Sequence, residues 1–278
     1  MTESTLTSQP TTPRRQGMRI GQLWVDALTA PDALREIERL VEARRGGAVF
    51  TPNVDHVVQA ESNPALRAAY ESASLSVPDG MPLIWLSKLL GGPLRERVAG
   101  SDLFVPLMRT AAQRGWRVYL FGGTADVAPL AAAILRDQFG VAVVGWSAPI
   151  VGADGVAADA SCLHSIRDAV PDLVIVALGN PKQELWTVRH SEVLGPGVAL
   201  CFGAVLDFLV GRQKRAPQWM IVAGFEWLHR LGQEPRRLWK RYLVRDPQFL
   251  LVAFATWRRF RMQAAGPQTA VPSVADLP

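Results

Sequence analysis

Leu173-Val174-Ile175-Val176-Ala177, running into Leu178-Gly179-Asn180-Pro181-Lys182-Gln183-Glu184, is the stretch on which the fold turns. Five uninterrupted apolar residues, mostly β-branched, read as a strand buried on both faces, the kind found in parallel sheets. A glycine closes the strand. Asn180, Pro181 and Gln183 then read as the cap, first position and third position of a new helix. Strand, tight turn and helix in a dozen residues make half of a βαβ unit.

The same unit recurs outward in both directions. Apolar runs at 47–50, 75–77, 117–121, 141–144 and 198–202 read as further strands. Helix-period segments fall at 32–45, 53–73, 81–90, 102–114, 125–138, 154–168 and 181–190, with Thr29 before Pro31-Asp32 as a helix cap. The fold class this predicts is α/β, a Rossmann-like parallel sheet covered by helices on both faces.

Beyond residue 211 the pattern changes. Ala216-Pro217 opens a stretch with helical periods and no strand, holding four of the nine tryptophans. Twelve Arg/Lys stand against three acids between Arg212 and Gln263, a local charge of +9 that leaves −4 for the rest of a +5 chain. We therefore expect a disordered tail at 1–17, a catalytic body at 18–211, a basic helical appendage at 212–264 and a second tail at 265–278. The basic appendage asks for an anionic partner.

Composition removes several classes. Cys162 and Cys201 are far apart and form no CxxC, so neither a disulfide framework nor a zinc site is expected. No apolar run approaches the ~18 residues of a membrane span. His56, His164, His190 and His229 lack metal-ligand spacing, and no Gly-x-Ser-x-Gly or HExxH is present.

Ligands of open parallel sheets bind beyond the carboxyl ends of the strands. Unusual polar groups collect there: Thr51-Pro52-Asn53, Pro78-Asp79-Gly80, Gly122-Gly123-Thr124, Asn180 with Gln183, and Asp207. Each has an ordinary reading. Pro-Asp-Gly is a common turn, Asn53 is a fitting helix cap, and Asn180 with Gln183 is a capping pair. Gly122-Gly123 before a helix is able to hold a phosphate on backbone N–H groups but lacks a full GxGxxG. Arg97 taken alone is a surface arginine, though its fork also suits a diphosphate.

Taken in order, Thr-Pro-Asn, Pro-Asp-Gly, Arg-Val-Ala-Gly-Ser-Asp (97–102), Phe-Gly-Gly-Thr (121–124), Gly-Asn-Pro-Lys-Gln-Glu (179–184) and Phe-Gly-Ala-Val-Leu-Asp (202–207) resemble the WecG/TagA/CpsF glycosyltransferases, glycosyltransferase family 26. The resemblance runs from about Ile20 to Phe249. It implies inverting transfer from a UDP-sugar to a polyprenyl-diphosphate-linked saccharide, in teichoic acid linkage units, enterobacterial common antigen or exopolysaccharides. The implied sugar is N-acetylmannosamine, its uronic acid or a hexose.

No metal or other cofactor is implied. By the same resemblance Asp79 is the general base, with Thr51 and Arg97 beside it in the catalytic set. Asn53, Gly122, Gly123, Asn180, Gln183 and Asp207 contact substrate. Arg230, Arg237 and Lys240 of the appendage meet the diphosphate, Lys240 standing where another basic residue is expected and lacking the fork of an arginine. One departure is the stretch Ser147–Gly152, where family members often carry an aromatic residue; here Trp146 is the only one nearby.

The appendage has two compatible readings, a helical hairpin packed on the body and an interfacial helix set meeting anionic lipid. The resemblance favours peripheral attachment to the cytoplasmic face of the bacterial inner membrane; an oligomer is left open. Two other classes compete. A basic nucleic-acid-binding protein would show an RRM, KH or zinc-finger pattern, and the acidic body argues against such a partner. A nucleotide-cofactor oxidoreductase would carry a complete GxGxxG after the first strand.

Overall fold

The structure, a computed structural model, describes residues 16–156 and 161–264. The tails expected at 1–17 and 265–278 thus lie outside the described residues, except for Gln16 and Gly17. The described residues open with an antiparallel hairpin, β1 (Gly17–Ile20) and β2 (Leu23–Asp26), which the sequence reading does not separate from the tail and first linker. Helix α1 (Ala30–Ala43) follows, started by a capping box in which Asp32 N–H donates to Thr29 Oγ1 at 3.4 Å. Next come β3 (Gly47–Phe50), α2 (Val54–Ser62), α3 (Pro64–Glu71) and β4 (Leu75–Ser76). The single helix expected at 53–73 is two, because Pro64 cannot continue a helix and Asn63 caps the new one instead.

The body continues with α4 (Met81–Leu89), α5 (Gly100–Arg114), β5 (Arg117–Gly122), α6 (Val127–Phe139) and β6 (Ala142–Ser147). It ends with α7 (Ser161–Ala169), β7 (Leu173–Ala177), α8 (Lys182–Arg189), α9 (Ser191–Leu194), β8 (Val198–Cys201) and α10 (Val205–Leu209). Part of the helix expected at 154–168 falls on 157–160, outside the described residues.

Six strands form one parallel sheet in the order β4-β3-β8-β7-β5-β6. Its strands are sandwiched, as their apolar runs require. Val174 and Val176 point to one core, with the hairpin, α2, α3 and α8. Leu173 and Ile175 point to the other, with α1, α5 and α6. Phe121 and Trp186 stack with ring centroids 3.8 Å apart and tie β5 to α8.

From residue 218 there are only helices: α11 (Gln218–Val222), α12 (Glu226–Gln233), α13 (Pro235–Lys240), a wide π turn at Arg241–Arg245, a tight turn at Asp246–Gln248, and α14 (Phe249–Ala264). Helix α14 lies on α2 and the hairpin: Phe249 and Val252 are buried there, and Gly21 N–H donates to Thr256 Oγ1 at 3.0 Å. No helix among the described residues is long and apolar enough to cross a membrane.

Candidate active site

Beyond the carboxyl end of the edge strand β4 the chain turns at Pro78-Asp79-Gly80. Asp79 N–H donates to Pro52 O at 2.8 Å, and Val98 N–H donates to Pro78 O at 2.7 Å. The turn is therefore stitched to the ends of two neighbouring segments. Gly80 sits at φ 151°, a conformation a side chain would strain.

Asp79 forms one wall of a cavity of about 550 Å³ between the body and the appendage. The body contributes Asn53, Asp79, Met81, Trp85, Leu89 and Arg97; the appendage contributes Ile221, Glu226, Trp227, Arg230, Arg241, Tyr242, Asp246, Phe249 and Leu250. Asp79, Arg97 and Glu226 of this lining contact one another, and Met81, Trp85, Leu89, Trp227 and Leu250 supply apolar wall, the last four exposed. Trp85 closes against the backbone of Gly224, where a Cβ would come within 2.4 Å of its ring.

Arg97 organises the polar end. Only 9% of its side chain is exposed, so its charge must be met within the protein. Nη1 donates to Asp79 Oδ1 at 3.0 Å, and Nη2 lies 3.1 Å from Asp102 Oδ2 and 3.6 Å from Glu226 Oε2. Arg215 in turn pairs with Asp102. Asp79 keeps 29% side-chain exposure, and among the described residues no hydrogen bond engages its Oδ2. Burial first, then the neighbouring Asp79 charge, raise the Glu226 carboxyl above its ordinary range. The surrounding carboxylates outweigh desolvation for Arg97 and raise its affinity for its proton.

The appendage is fastened beside this site by a second set of charges. Asp55, in the first turn of α2 and 3% exposed, pairs with Arg245 Nε at 2.8 Å and Arg241 Nε at 3.4 Å. Arg241 Nη2 also donates to Asn53 Oδ1 at 3.2 Å. Asn53 keeps its capping role, accepting from Asp55 N–H at 3.1 Å. Asp246, lying 3.8 Å from Arg241, is pushed up to about 6 by burial, against the pull of that arginine.

The residues singled out from sequence divide into three groups. Asn53, Asp79, Arg97 and Arg230 share the cavity. Thr51 and Gln183 lie beneath it, both buried, where Thr51 Oγ1 and Gln183 Nε2 donate to Cys201 O at 3.4 and 3.3 Å. Gln183 Oε1 also accepts from Gly203 N–H at 3.1 Å, so this side chain fixes the turn after β8. Asn180 does not cap α8, as its motif had suggested; its Nδ2 donates to Asp55 Oδ2 at 3.1 Å, and α8 starts without a side-chain cap.

The third group lies towards the opposite part of the sheet edge. Gly122 approaches β7 so closely that a Cβ would meet Ala177 O at 2.5 Å, and Gly123 N–H donates to that same oxygen at 2.9 Å. That N–H is thereby committed to the backbone. Asp207 is raised mainly by burial, with Arg212, Glu234 and Arg237 among its charged neighbours. Arg237 pairs with Glu234, and Lys240 lies 5.6 Å from the Trp239 ring, outside the cavity wall. Arg230 sits 5.9 Å above the Phe208 ring and so joins the Asp207 region to the Asp79 cavity. Trp146 is on the far edge strand, 41% exposed, and does not line the cavity.

Sequence reading missed Glu226, Asp55, Arg241, Arg245 and Asp246. Asp55 lies two residues past Asn53, and Glu226 is one of three acids in a stretch with twelve basic residues. An acid placed against that trend was the available signal. Beneath the site His56 Nε2 meets Glu184 Oε1 at 3.2 Å, a buried pair that keeps the first turn of α2 against α8. Among the described residues no cluster of three or more His, Cys, Asp or Glu is placed to hold a metal ion.

A model of the glycosyl transferase WecG/TagA/CpsF family matches residues 18–263. An N-acetylglucosaminyldiphosphoundecaprenol N-acetyl-beta-D-mannosaminyltransferase of Bacillus spizizenii is 34% identical over 204 residues, covering 73% of this chain and 77% of the relative. A protein of the same description from Bacillus subtilis is 30% identical over 205 residues, with the same coverage.

Proposed function

The chain belongs to the glycosyl transferase WecG/TagA/CpsF family, and on that footing we propose that it moves a sugar from a UDP-sugar to a polyprenyl-diphosphate-linked saccharide, with Asp79 as general base and inversion at the anomeric carbon. The observation that carries the reading is the mixed lining of the cavity: a carboxylate held by a buried arginine together with exposed apolar side chains.

In this reading Arg97 fixes Oδ1 of Asp79, leaving Oδ2 to take the proton of the acceptor hydroxyl as that oxygen attacks the anomeric carbon. UDP leaves from the opposite face of the sugar, which inverts the centre. Arg230 and Arg241 line the same space and offset acceptor diphosphate charge. The prenyl chain follows Trp85, Leu89, Trp227 and Leu250 outward.

Donor and acceptor approach from different sides. Asp79 follows β4 and Gly122 ends β5, four strands apart, or roughly 19 Å. A UDP-sugar lying along the sheet edge from the Asp207 region puts its sugar towards Asp79 and its nucleotide away from it. The sugar we favour is N-acetylmannosamine, the group named for both Bacillus relatives. Polyprenyl-diphosphate-linked N-acetylglucosamine is the matching acceptor.

Attachment to lipid is part of the proposal. Trp219, Val222, Leu250, Leu251 and Phe254 are each more than 60% exposed on the appendage, among arginines. Such a surface suits the interface of an anionic membrane, placing the enzyme peripherally on the cytoplasmic face of the bacterial inner membrane. The 1–17, 18–211, 212–264 and 265–278 division is retained as a proposal.

The test is a thermal-shift screen of UDP-sugars on the full chain, followed by a transfer assay to a polyprenyl-diphosphate N-acetylglucosamine acceptor in anionic vesicles. Stabilisation by a UDP-N-acetylhexosamine and a product of inverted configuration support the reading. No transfer with any UDP-sugar, or a retained configuration, overturns it.

A further inference from the structure

We propose that Glu226 is a positioning residue of the reaction: acting through Arg97, it makes the aim of the Asp79 carboxylate depend on the docked appendage. The inference rests on the assignment of Asp79 as base and adds the side chain that links it to the second half of the molecule.

Three observations carry it. Arg97 comes from the segment between α4 and α5, which belongs to no helix or strand, so its side-chain partners must set its aim. Its guanidinium is a rigid plane, and fixing one nitrogen fixes the other. Nη1 holds Asp79, while Nη2 lies between Asp102 of the body and Glu226 of the appendage. The fork is therefore anchored on both sides of the cavity.

The charge arrangement is also unusual for simple attachment. Three carboxylates, those of Asp79, Asp102 and Glu226, surround one buried guanidinium. Bringing a third one in costs desolvation that a neutral side chain would avoid. Attachment is already provided elsewhere, by Asp55 with Arg241 and Arg245 and by the buried face of α14. Glu226 instead sits where the chemistry is placed.

The charged groups facing Glu226 are Asp79, Asp102 and Arg97 from the body, Arg215 from the connecting segment and Arg230 one turn along α12. Its carboxyl is raised, by burial first and Asp79 second. As pH falls it therefore takes a proton above the ordinary carboxylate range and weakens its hold on Nη2. Activity that needs this hold is present at neutral pH and lost as pH drops through the raised value.

The experiment is a pH–rate profile of the full chain in anionic vesicles, comparing wild type with Glu226→Gln, Glu226→Asp and Arg97→Lys. We expect Glu226→Gln to lower kcat roughly tenfold, the scale of a modest misplacement of a catalytic group, with donor KM within about twofold. Its acid limb should move to lower pH, and Glu226→Asp should return the limb towards wild type. Arg97→Lys removes the fork, so adding Glu226→Gln to it should cost little more. This non-additivity remains readable even where a single variant is less stable.

Unmoved acid limbs, losses confined to KM, or additive losses in the double variant overturn the role of Glu226 while leaving the transfer reaction standing. A wild type that transfers nothing overturns both, and near-normal turnover by Asp79→Asn removes the base that Glu226 is said to position.

Discussion

The body and the appendage are held together by different physics. In the body, Val174, Ile175, Val176 and Leu200 are wholly buried, and each face of the sheet has its own apolar core. In the appendage, α12 buries no residue, α11 buries only Ile221 and α13 only Leu238. Its hold on the body comes from the Asp55 ion pairs, the Arg97–Glu226 contact, Trp85 against Gly224, and the inner face of α14. Apolar burial is strong and insensitive to salt, whereas partly exposed ion pairs are weaker and screened. A half held by apolar burial and carrying Asp79 thus faces a half held more by charge, and the cavity is lined by both.

The harshest way to break the comparison is to remove one side of it. Truncation after Gly211 takes away Glu226, Arg230, Arg241 and the outer wall of the cavity. The remaining body should unfold cooperatively in a thermal melt, at a lower temperature because α14 no longer covers α2, and transfer should fall to the limit of detection. Sedimentation with anionic vesicles should weaken in parallel. A truncated body that keeps full transfer would show the appendage to be dispensable. Next in size is Asp79→Asn, which keeps shape but removes the proposed base; kcat should drop about 10²–10⁴-fold, with UDP binding by calorimetry nearly unchanged.

The contrast also explains what could be read in the sequence. All six strands of the sheet were visible, because strands buried on both faces must be apolar runs, as at Leu173–Ala177. The hairpin was not, since Arg19 and Asp26 interrupt its apolar pattern and it packs against α14, far along the chain. The turn that holds Asp79 was legible because Pro-Asp-Gly after a strand has a short signature, whereas the role given to its carboxylate came from the family resemblance. Glu226, Asp55 and Arg245 were not: their meaning lies in contacts across the chain, which no local period encodes. The Asn180 cap failed for a more local reason: the helix starts one residue later than the motif suggests, with Pro181 at the cap position, so the Asn180 oxygen caps nothing while its Nδ2 donates to Asp55.

A smaller perturbation separates docking from chemistry. Arg245→Ala removes the 2.8 Å partner of Asp55 and leaves every group around Asp79 in place. Asp55 keeps Arg241 and Asn180 but loses its nearest cation, and a buried carboxylate with fewer partners is costly, so the appendage should protect α2 less in hydrogen exchange. Transfer should fall several-fold, and its dependence on salt should be shallower than in wild type, because one screened ion pair fewer holds the appendage. Equal protection in both proteins would place the docking energy in α14 instead.

The smallest effect is expected at Asp246, and its sign is the informative part. Burial raises this carboxyl to about 6, well above its unfolded value near 3.8, and among the described residues its Oδ1 has no hydrogen-bond partner. The docked state therefore binds a proton more tightly than the undocked one across that interval. The contribution of Asp246 to docking is therefore most favourable below about pH 4 and is lost as pH rises through about 6. At neutral pH the buried charge works against the contact, although Arg241 lies 3.8 Å away. Asp246→Asn should thus strengthen docking at pH 7 by on the order of 1 kcal/mol and flatten its dependence between pH 4 and 6. Vesicle binding and hydrogen exchange of α2, followed across that range, read both changes. A variant that docks more weakly at pH 7 would mean that the pair with Arg241 outweighs burial, making Asp246 part of the clamp.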